Sequence, residues 1–122
     1  MKNRTLKVGI APRAAVFQYM RDVVSGRRRR SAVDPDIWFS SVESFAKVLS
    51  ERNRALLALI AEKRPDSIDT LAAASGRAKS NLSRTLRTME RYGLVRLERG
   101  EGRKLRPVVT FGRVELRLKV AA

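Results

Sequence analysis

The sequence predicts a mainly α fold with a small β wing, in the α+β class, and three observations support this. Apolar residues recur at helical spacing between residues 50 and 92. From residue 94 onward the period changes to alternation around a Gly100-Glu101-Gly102 turn. The length of 122 residues fits one domain with a short arm.

Residues 1–36 are expected to form an N-terminal arm that ends in a basic linker. Thr5 to Ile10 has the pattern of a strand, and Pro12 to Val24 has that of a helix, since proline suits a first helical turn. The run Arg27 to Arg30 then leads to the main domain, residues 37–122. Two interpretations of this run stay open, a solvated linker and a direct phosphate contact.

The first half of the main domain has the caps and stops of two helices. Ser41 or Ser44 can cap a short helix, and Ser50 can cap a longer one that Pro65 ends. The apolar side chains of the longer helix recur on one side, so this helix is expected to belong chiefly to the core.

Two further helices follow, joined by a tight turn at Gly76. A short helix begins at Asp66 or Ser67, and a second one runs from Lys79 to about Tyr92. Two helices joined in this way predict a helix-turn-helix. The buried side of the second helix is expected to carry Leu82, Leu86 and Met89.

Charge is concentrated where the helix-turn-helix and the wing are expected. The chain carries a net charge of +15, and residues 77–106 alone hold ten basic and three acidic side chains. Residues 31–76 hold five basic and seven acidic ones. Such a field attracts a polyanion, and nucleic acid is the most common one. A membrane is not an expected partner, because the longest apolar run, Ala55 to Ala61, is too short to span a bilayer.

The exposed side of the predicted helix from Lys79 to Tyr92 is the candidate surface for contacts with bases. At about 100° per residue, most of its polar side chains lie on the side of the helix opposite Leu82, and the others flank that side. Arginine can donate two hydrogen bonds to guanine, asparagine can form two with adenine, and serine can hydrogen-bond to either base. A solvated helix face is the alternative for such a stripe. The candidate residues are Lys79, Ser80, Asn81, Ser83, Arg84, Arg87 and Arg91.

The predicted wing adds basic residues around its glycine-containing tip, where it would reach a flanking phosphate backbone or minor groove. Together the helix and the wing predict a winged helix-turn-helix that binds double-stranded DNA. The candidate wing residues are Arg99, Arg103, Lys104 and Arg106.

Catalysis, cofactors and metal sites are not expected. The chain has no cysteine and no histidine, which removes disulfides, thiol chemistry and the usual zinc ligands. It also lacks a nucleophile paired with a base and a phosphate-cradling loop between a strand and a helix. The absence of cysteine suits the cytoplasm, so a cytoplasmic protein is expected. RNA binding is disfavoured, because single-stranded RNA is bound through exposed aromatic residues and the chain has few aromatic residues.

From Trp38 to Val120 the sequence resembles the HVO_A0114-type family of DNA-binding proteins, which is similar to MarR-like winged helices. The more specific match is the segment from Phe39 to Ser44 with Lys47-Val48-Leu49, and Asn81 to Leu86 also matches. The sequence departs from typical helix-turn-helix patterns at Ala78, where serine or threonine commonly caps the second helix.

The resemblance implies a DNA-binding transcriptional regulator, most simply a repressor. Some proteins of this kind lie beside a toxin, so an antitoxin that neutralises a cognate toxin and represses its own operon is the alternative. A homodimer is expected, because one recognition helix contacts too few bases for specificity. Residues 5–24 and the alternating segment 114–120 are expected to build the dimer interface and any partner surface.

Overall fold

Five helices and five strands follow one another along residues 4–120, the residues that the computed structural model describes. The helices are α1 (Arg13–Val24), α2 (Val42–Val48), α3 (Glu51–Lys63), α4 (Ile68–Ser75) and α5 (Lys79–Arg91). The strands are β1 (Thr5–Ile10), β2 (Ile37–Phe39), β3 (Arg96–Arg99), β4 (Leu105–Val108) and β5 (Arg113–Arg117). The fold is a small α+β one, in agreement with the fold class predicted from the sequence.

The chain divides into two compact units. The helical unit comprises residues 48–110, and the sheet unit comprises residues 4–47 and 111–120 of the described range. This division differs from the expected one after residue 36. The difference arises because β5 pairs with β1, which joins the C-terminal strand to the N-terminal arm.

In the helical unit, the helix ends lie where local capping chemistry predicts them. The hydroxyl oxygen of Ser50 accepts a hydrogen bond of 3.2 Å from the backbone of Asn53, and that of Ser67 accepts one of 3.0 Å from Thr70. Helix α4 contacts both α3 and α5, and their apolar sides are buried. The buried side chains include Leu56, Leu57, Ile60, Leu71, Leu82, Leu86 and Met89.

Strands β3 and β4 form an antiparallel hairpin, as the alternating pattern predicts. Arg96 lies opposite Val108, and Arg99 lies opposite Leu105. The turn between them contains Gly102 with φ of 63°, a conformation that glycine adopts without a steric penalty. Strand β3 contacts α5, while β4 contacts α3 and α4, so the hairpin is anchored to the helices of its own unit.

The sheet unit is built around β1, which pairs in parallel with β2 on one side and β5 on the other. The sequence pattern predicts the strand at Thr5–Ile10 but not its partners. It is a central strand whose pairing is complete within one chain, and it needs no neighbour from another copy. The final strand ends at Arg117, earlier than the alternation to Val120 suggests.

Helix α1 lies on the face of this sheet that carries Trp38, because the rings of Tyr19 and Trp38 are 5.7 Å apart. Next to them, the carboxylate of Asp34 is buried and accepts hydrogen bonds from the Tyr19 hydroxyl, the Ser31 backbone and the Arg28 guanidinium. These contacts hold the loop between α1 and β2 against the helix.

Candidate nucleic-acid interface

Helix α5 has an apolar side and a polar side that are more sharply separated than those of α3 and α4. Leu82, Leu86 and Met89 are fully buried, at 0% exposure. The predicted residues on the opposite side are exposed: Lys79, Ser80, Arg84, Arg87 and Arg91. The prediction of which side is buried is therefore confirmed.

The basic side chains along this exposed side differ in whether they have a hydrogen-bond or ion-pair partner among the described residues. The side chains of Arg84 and Arg87 make no hydrogen bond or ion pair with any residue between 4 and 120. Lys79 forms an ion pair of 3.0 Å with the exposed Asp69, and Arg91 donates a hydrogen bond of 3.3 Å to Thr88. Exposed pairs of this kind are weak and can exchange partners when an anion approaches.

Unlike Arg84 and Arg87, Asn81 has a side-chain hydrogen-bond partner. Its side chain is half-buried, and its carboxamide oxygen accepts hydrogen bonds of 2.8 and 3.1 Å from the guanidinium of Arg77. Ser83 is also half-buried. The structure therefore brings five of the seven predicted helix residues onto the exposed side and leaves Asn81 and Ser83 at its margin.

Arg77 is a structurally important residue that the sequence pattern does not single out. Besides Asn81, its guanidinium donates to the hydroxyl of Thr85, at 3.2 Å, and to the carboxamide oxygen of Asn53 in α3, at 3.4 Å. Burial, and secondarily the charge of Arg52, lower the pKa of Arg77, which still stays charged at neutral pH. One side chain thus connects α3, the turn before α5 and two successive turns of α5.

The turn itself is tight, as expected from Gly76. This glycine has φ of 73° and its N–H donates to the carbonyl oxygen of Ala72, which ends α4. Ala78 occupies the N-cap position of α5, and no side chain within the described residues caps that helix end. The first N–H groups of α5 therefore remain available to an acceptor such as a phosphate oxygen.

At the hairpin, the predicted basic residues divide into two groups. Arg99, Arg103 and Lys104 are exposed and, with Gly102 and Leu105, line a shallow depression of about 320 Å³. Arg106 is instead paired with Glu98 at 2.6 Å, and Glu98 also accepts from Arg96 at 2.9 Å.

The pairing at Glu98 changes the electrostatics of the hairpin. The hydrogen bond from Arg106, followed by the charges of Arg106 and Arg96, lowers the pKa of Glu98 and keeps it ionised. One carboxylate thus offsets part of the positive charge of two arginines. Lys104 lies near Asp66, whose pKa is lowered mainly by a hydrogen bond from Thr70 and secondarily by that lysine.

A membrane-spanning helix and a metal-binding cluster are both absent from the described residues. No helix within residues 4–120 is long and apolar enough to cross a bilayer. Over the same residues, no three acidic side chains gather closely enough to hold a metal ion.

Comparison with known proteins places the chain in a family. A search of curated proteins finds no match. The model of the HVO_A0114 family matches residues 48–116, which include all of α3, α4, α5 and the hairpin. Because this match covers more than half of the 122 residues, the chain belongs to the HVO_A0114 family.

Proposed function

We propose that the helical unit is a winged helix-turn-helix of MarR-like character that binds double-stranded DNA and regulates transcription, most simply as a repressor. In this proposal α5 enters the major groove and the β3–β4 hairpin contacts the adjacent backbone. The protein acts by binding and not as an enzyme.

The observation that carries the proposal is the pair of free arginines, Arg84 and Arg87, on the side of α5 opposite its buried apolar stripe. An arginine that is exposed and unpaired within its own chain keeps all its donors for a ligand. Guanine offers two acceptors in the major groove that match this planar fork. Ser80 and Lys79 lie on the same side, nearer the N-terminal end of α5.

The hairpin supports the same proposal by supplying charge without base-specific chemistry. Arg99, Arg103 and Lys104 form a basic depression at its tip. Cations at such a tip suit phosphate oxygens, which fix the position of a protein on DNA and add salt-dependent affinity. Specificity would then come from α5, and general affinity from both elements.

Selection from a pool of randomised DNA duplexes tests this function directly. The protein is expected to enrich a defined sequence and to bind that duplex at least a hundredfold more tightly than a scrambled one at 0.15 M salt, an interval of about 3 kcal/mol. Enrichment of no sequence, or equal binding to both duplexes, contradicts the proposal. A single-stranded RNA of the same sequence serves as the control for general polyanion binding.

A second candidate function is protein binding by α1, as an antitoxin that neutralises a toxin would require. Phe17, Met20 and Val24 are exposed large apolar residues that recur on one side of α1. Together with Arg21 and Arg27 they line a groove of about 610 Å³. An apolar stripe beside arginines fits a partner helix that carries apolar and acidic side chains.

Co-expression with the product of the adjacent reading frame tests this second function. A complex that Phe17→Lys disrupts, while binding of the selected DNA is retained, would support it. A complex that is unaffected by Phe17→Lys would remove α1 from partner binding.

A further inference from the structure

Strand β5 is an open edge of the three-stranded sheet. It pairs with β1 on one side, and no strand within residues 4–120 pairs with its other side. Its residues are exposed or half-buried, and Leu118, just beyond its end, is 50% exposed. An edge of this kind offers unpaired backbone N–H and C=O groups to another strand.

The hydrogen bonds to β1 show which residues of β5 present these groups. The backbone N–H and C=O of Lys7 face β2, because both bond Asp36 at 2.8 Å, so the alternate residues of β1, Leu6 and Val8, face β5. In a parallel pair these residues bond the β5 residues that lie opposite Thr5, Lys7 and Gly9, which are Arg113, Glu115 and Arg117. The backbone groups of Val114 and Leu116 therefore point towards the open edge.

We propose that β5 pairs in antiparallel fashion with β5 of a second copy, with Glu115 of each chain opposite Arg117 of the other. A two-fold axis then passes beside Leu116, and the two sheets join into one of six strands. This inference concerns a second copy of the chain and does not depend on DNA binding.

The geometry of antiparallel pairing allows few registers. Residues that point towards the open edge must lie opposite one another, which leaves three central arrangements. Val114 and Leu116 can pair with each other or each with its own copy, so Glu115 lies opposite Glu115, Arg117 or Arg113 of the second copy. The first would place like charges directly opposite each other and would also set Arg113 against Arg117, which destabilises a sheet.

Burial decides between the two remaining registers. Pairing of Glu115 with Arg117 places Val114 opposite Leu118 and covers a leucine that is half exposed in one chain. Pairing of Glu115 with Arg113 would instead place Phe111, which is buried before β5 begins, opposite the partner strand. The Glu115–Arg117 register also sets Arg113 opposite Lys119 at each end, but Lys119 lies beyond the end of β5 and both exposed side chains can diverge into solvent.

Glu115 and Arg117 already form an ion pair within one chain, so their side chains are long enough to bring the two charges into contact. Within one chain, Arg117 donates hydrogen bonds of 2.8 and 3.0 Å to the same carboxylate oxygen of Glu115. Both side chains are 47% exposed, so the pair is accessible from the open edge. In the dimer each carboxylate would lie between two arginines, and each arginine between two carboxylates.

Single cysteines test the register cleanly, because the chain has no cysteine of its own. In the proposed dimer the two Leu116 residues form a hydrogen-bonded pair, with Cα atoms about 5.5 Å apart. That separation lies within the range of a disulfide. Leu116→Cys should therefore form a disulfide-linked dimer under mild oxidation without DNA.

Val114→Cys is the matched control. The two copies of residue 114 would be offset by four residues, about 13 Å along the strands, and should not cross-link. Cross-linking of Val114→Cys in preference to Leu116→Cys would overturn the register in favour of the one that pairs Glu115 with Arg113. Equal cross-linking of both, or of neither, would overturn the pairing itself.

Charge reversal followed by sedimentation gives a second measurement. Glu115→Arg and Arg117→Glu should each weaken the dimer at least tenfold, while the double variant restores opposite charges and the wild-type dimer. Arg96→Glu, on β3, is the control for loss of a similar exposed pair. A wild-type protein that is monomeric at micromolar concentration in 0.15 M salt, or a double variant without rescue, contradicts the proposal.

Discussion

The guanidinium of Arg77 donates two hydrogen bonds to the carboxamide oxygen of Asn81, one turn further along the chain. The sequence pattern suggests Asn81 as a residue that contacts adenine, a contact that needs this same oxygen as an acceptor. With the oxygen already occupied, Asn81 is suited to holding the first turn of α5 in place. Its influence on DNA binding is then expected to act through the position of the helix.

Unfolding measurements on two Asn81 variants check this role. Asn81→Ala should lower the free energy of unfolding by about 1–2 kcal/mol, because it leaves a half-buried guanidinium without its main acceptor. Asn81→Asp retains an oxygen acceptor and should keep most of the stability. Equal stability of the alanine variant and the wild-type protein would show that the contact contributes nothing to the fold.

The two groups of basic residues are expected to respond differently to substitution. Arg84→Ala should reduce discrimination between the selected and scrambled duplexes by about 1–3 kcal/mol, since it removes a donor suited to base edges. Arg103→Ala should weaken binding to both duplexes alike and flatten the dependence of affinity on salt. Fluorescence anisotropy over a salt series measures both effects.

Lys63→Ala is the control for these substitutions, because it removes an exposed cation at the end of α3. It should leave discrimination unchanged. The assignment of roles would be wrong if Arg84→Ala and Arg103→Ala changed both duplexes in the same proportion.

Removal of the Glu98 carboxylate should strengthen DNA binding. Glu98 is paired with Arg106 and Arg96, so Glu98→Gln frees two cations on the hairpin and removes one negative charge. Tighter binding to both duplexes is expected, with a salt dependence that is steeper by about one unit for each additional phosphate that the protein neutralises. Glu101→Gln removes the same charge from the exposed turn and should have a smaller effect, because no ion pair involves Glu101 within the described residues.

Features that depend on neighbouring residues were predictable from the sequence, and features that join distant segments were not. The caps at Ser50 and Ser67 and the turn at Gly76 follow from local chemistry, and the structure has them where expected. Strand β2 has only three residues, Ile37–Phe39, too few for alternation to be visible. Its pairing with β1 also spans a helix, which no local pattern encodes.

The candidate site divides in the same way. Helical periodicity was sufficient to place Arg84 and Arg87 on the exposed side of α5, since burial of Leu82 fixes the opposite direction. Periodicity could not show that Arg77, before the helix begins, reaches Asn53 in α3. It also could not show that Glu98 pairs with Arg106 across the hairpin, because that contact depends on the register of β3 and β4.

Gly9 is expected to tolerate no larger residue. A Cβ atom at this position would lie 2.6 Å from Cγ of Pro35 and 2.8 Å from Cζ3 of Trp38, closer than van der Waals contact allows. Gly9→Ala should lower the free energy of unfolding by about 1–3 kcal/mol, since two packed rings must shift. Gly26→Ala is the matched comparison, because its Cβ would meet no atom within 4 Å and its cost would come only from the positive φ of 81°.

Thermal or urea unfolding distinguishes the two glycines when tryptophan fluorescence is also measured. Gly9→Ala should alter the fluorescence of Trp38, the only tryptophan in the chain, whereas Gly26→Ala should not. Unchanged tryptophan emission together with wild-type stability in Gly9→Ala would show that β1 does not approach Trp38 this closely.

The last prediction concerns stability in acid and rests on Asp34. Its carboxylate accepts hydrogen bonds of 2.9 Å from the Ser31 backbone, 3.0 Å from Tyr19 and 3.2 Å from Arg28. These bonds, that from Ser31 foremost, lower the pKa of Asp34 against the opposing effect of burial. The ionised form is therefore the one that the folded protein favours.

A carboxyl group whose pKa is lower in the folded state binds protons more readily when unfolded, so it stabilises the fold fully above its ordinary pKa of 3.8. This contribution is lost progressively as the pH falls through the lowered pKa. Urea unfolding at pH 7 and at pH 3 should show that Asp34→Asn loses stability at pH 7 and less at pH 3. Asp22→Asn, which neutralises a carboxylate on α1 that accepts from Gln18, is the control for loss of one negative charge. If Asp34→Asn were destabilised equally at both pH values, the hydrogen bonds to Asp34 would not depend on its charge.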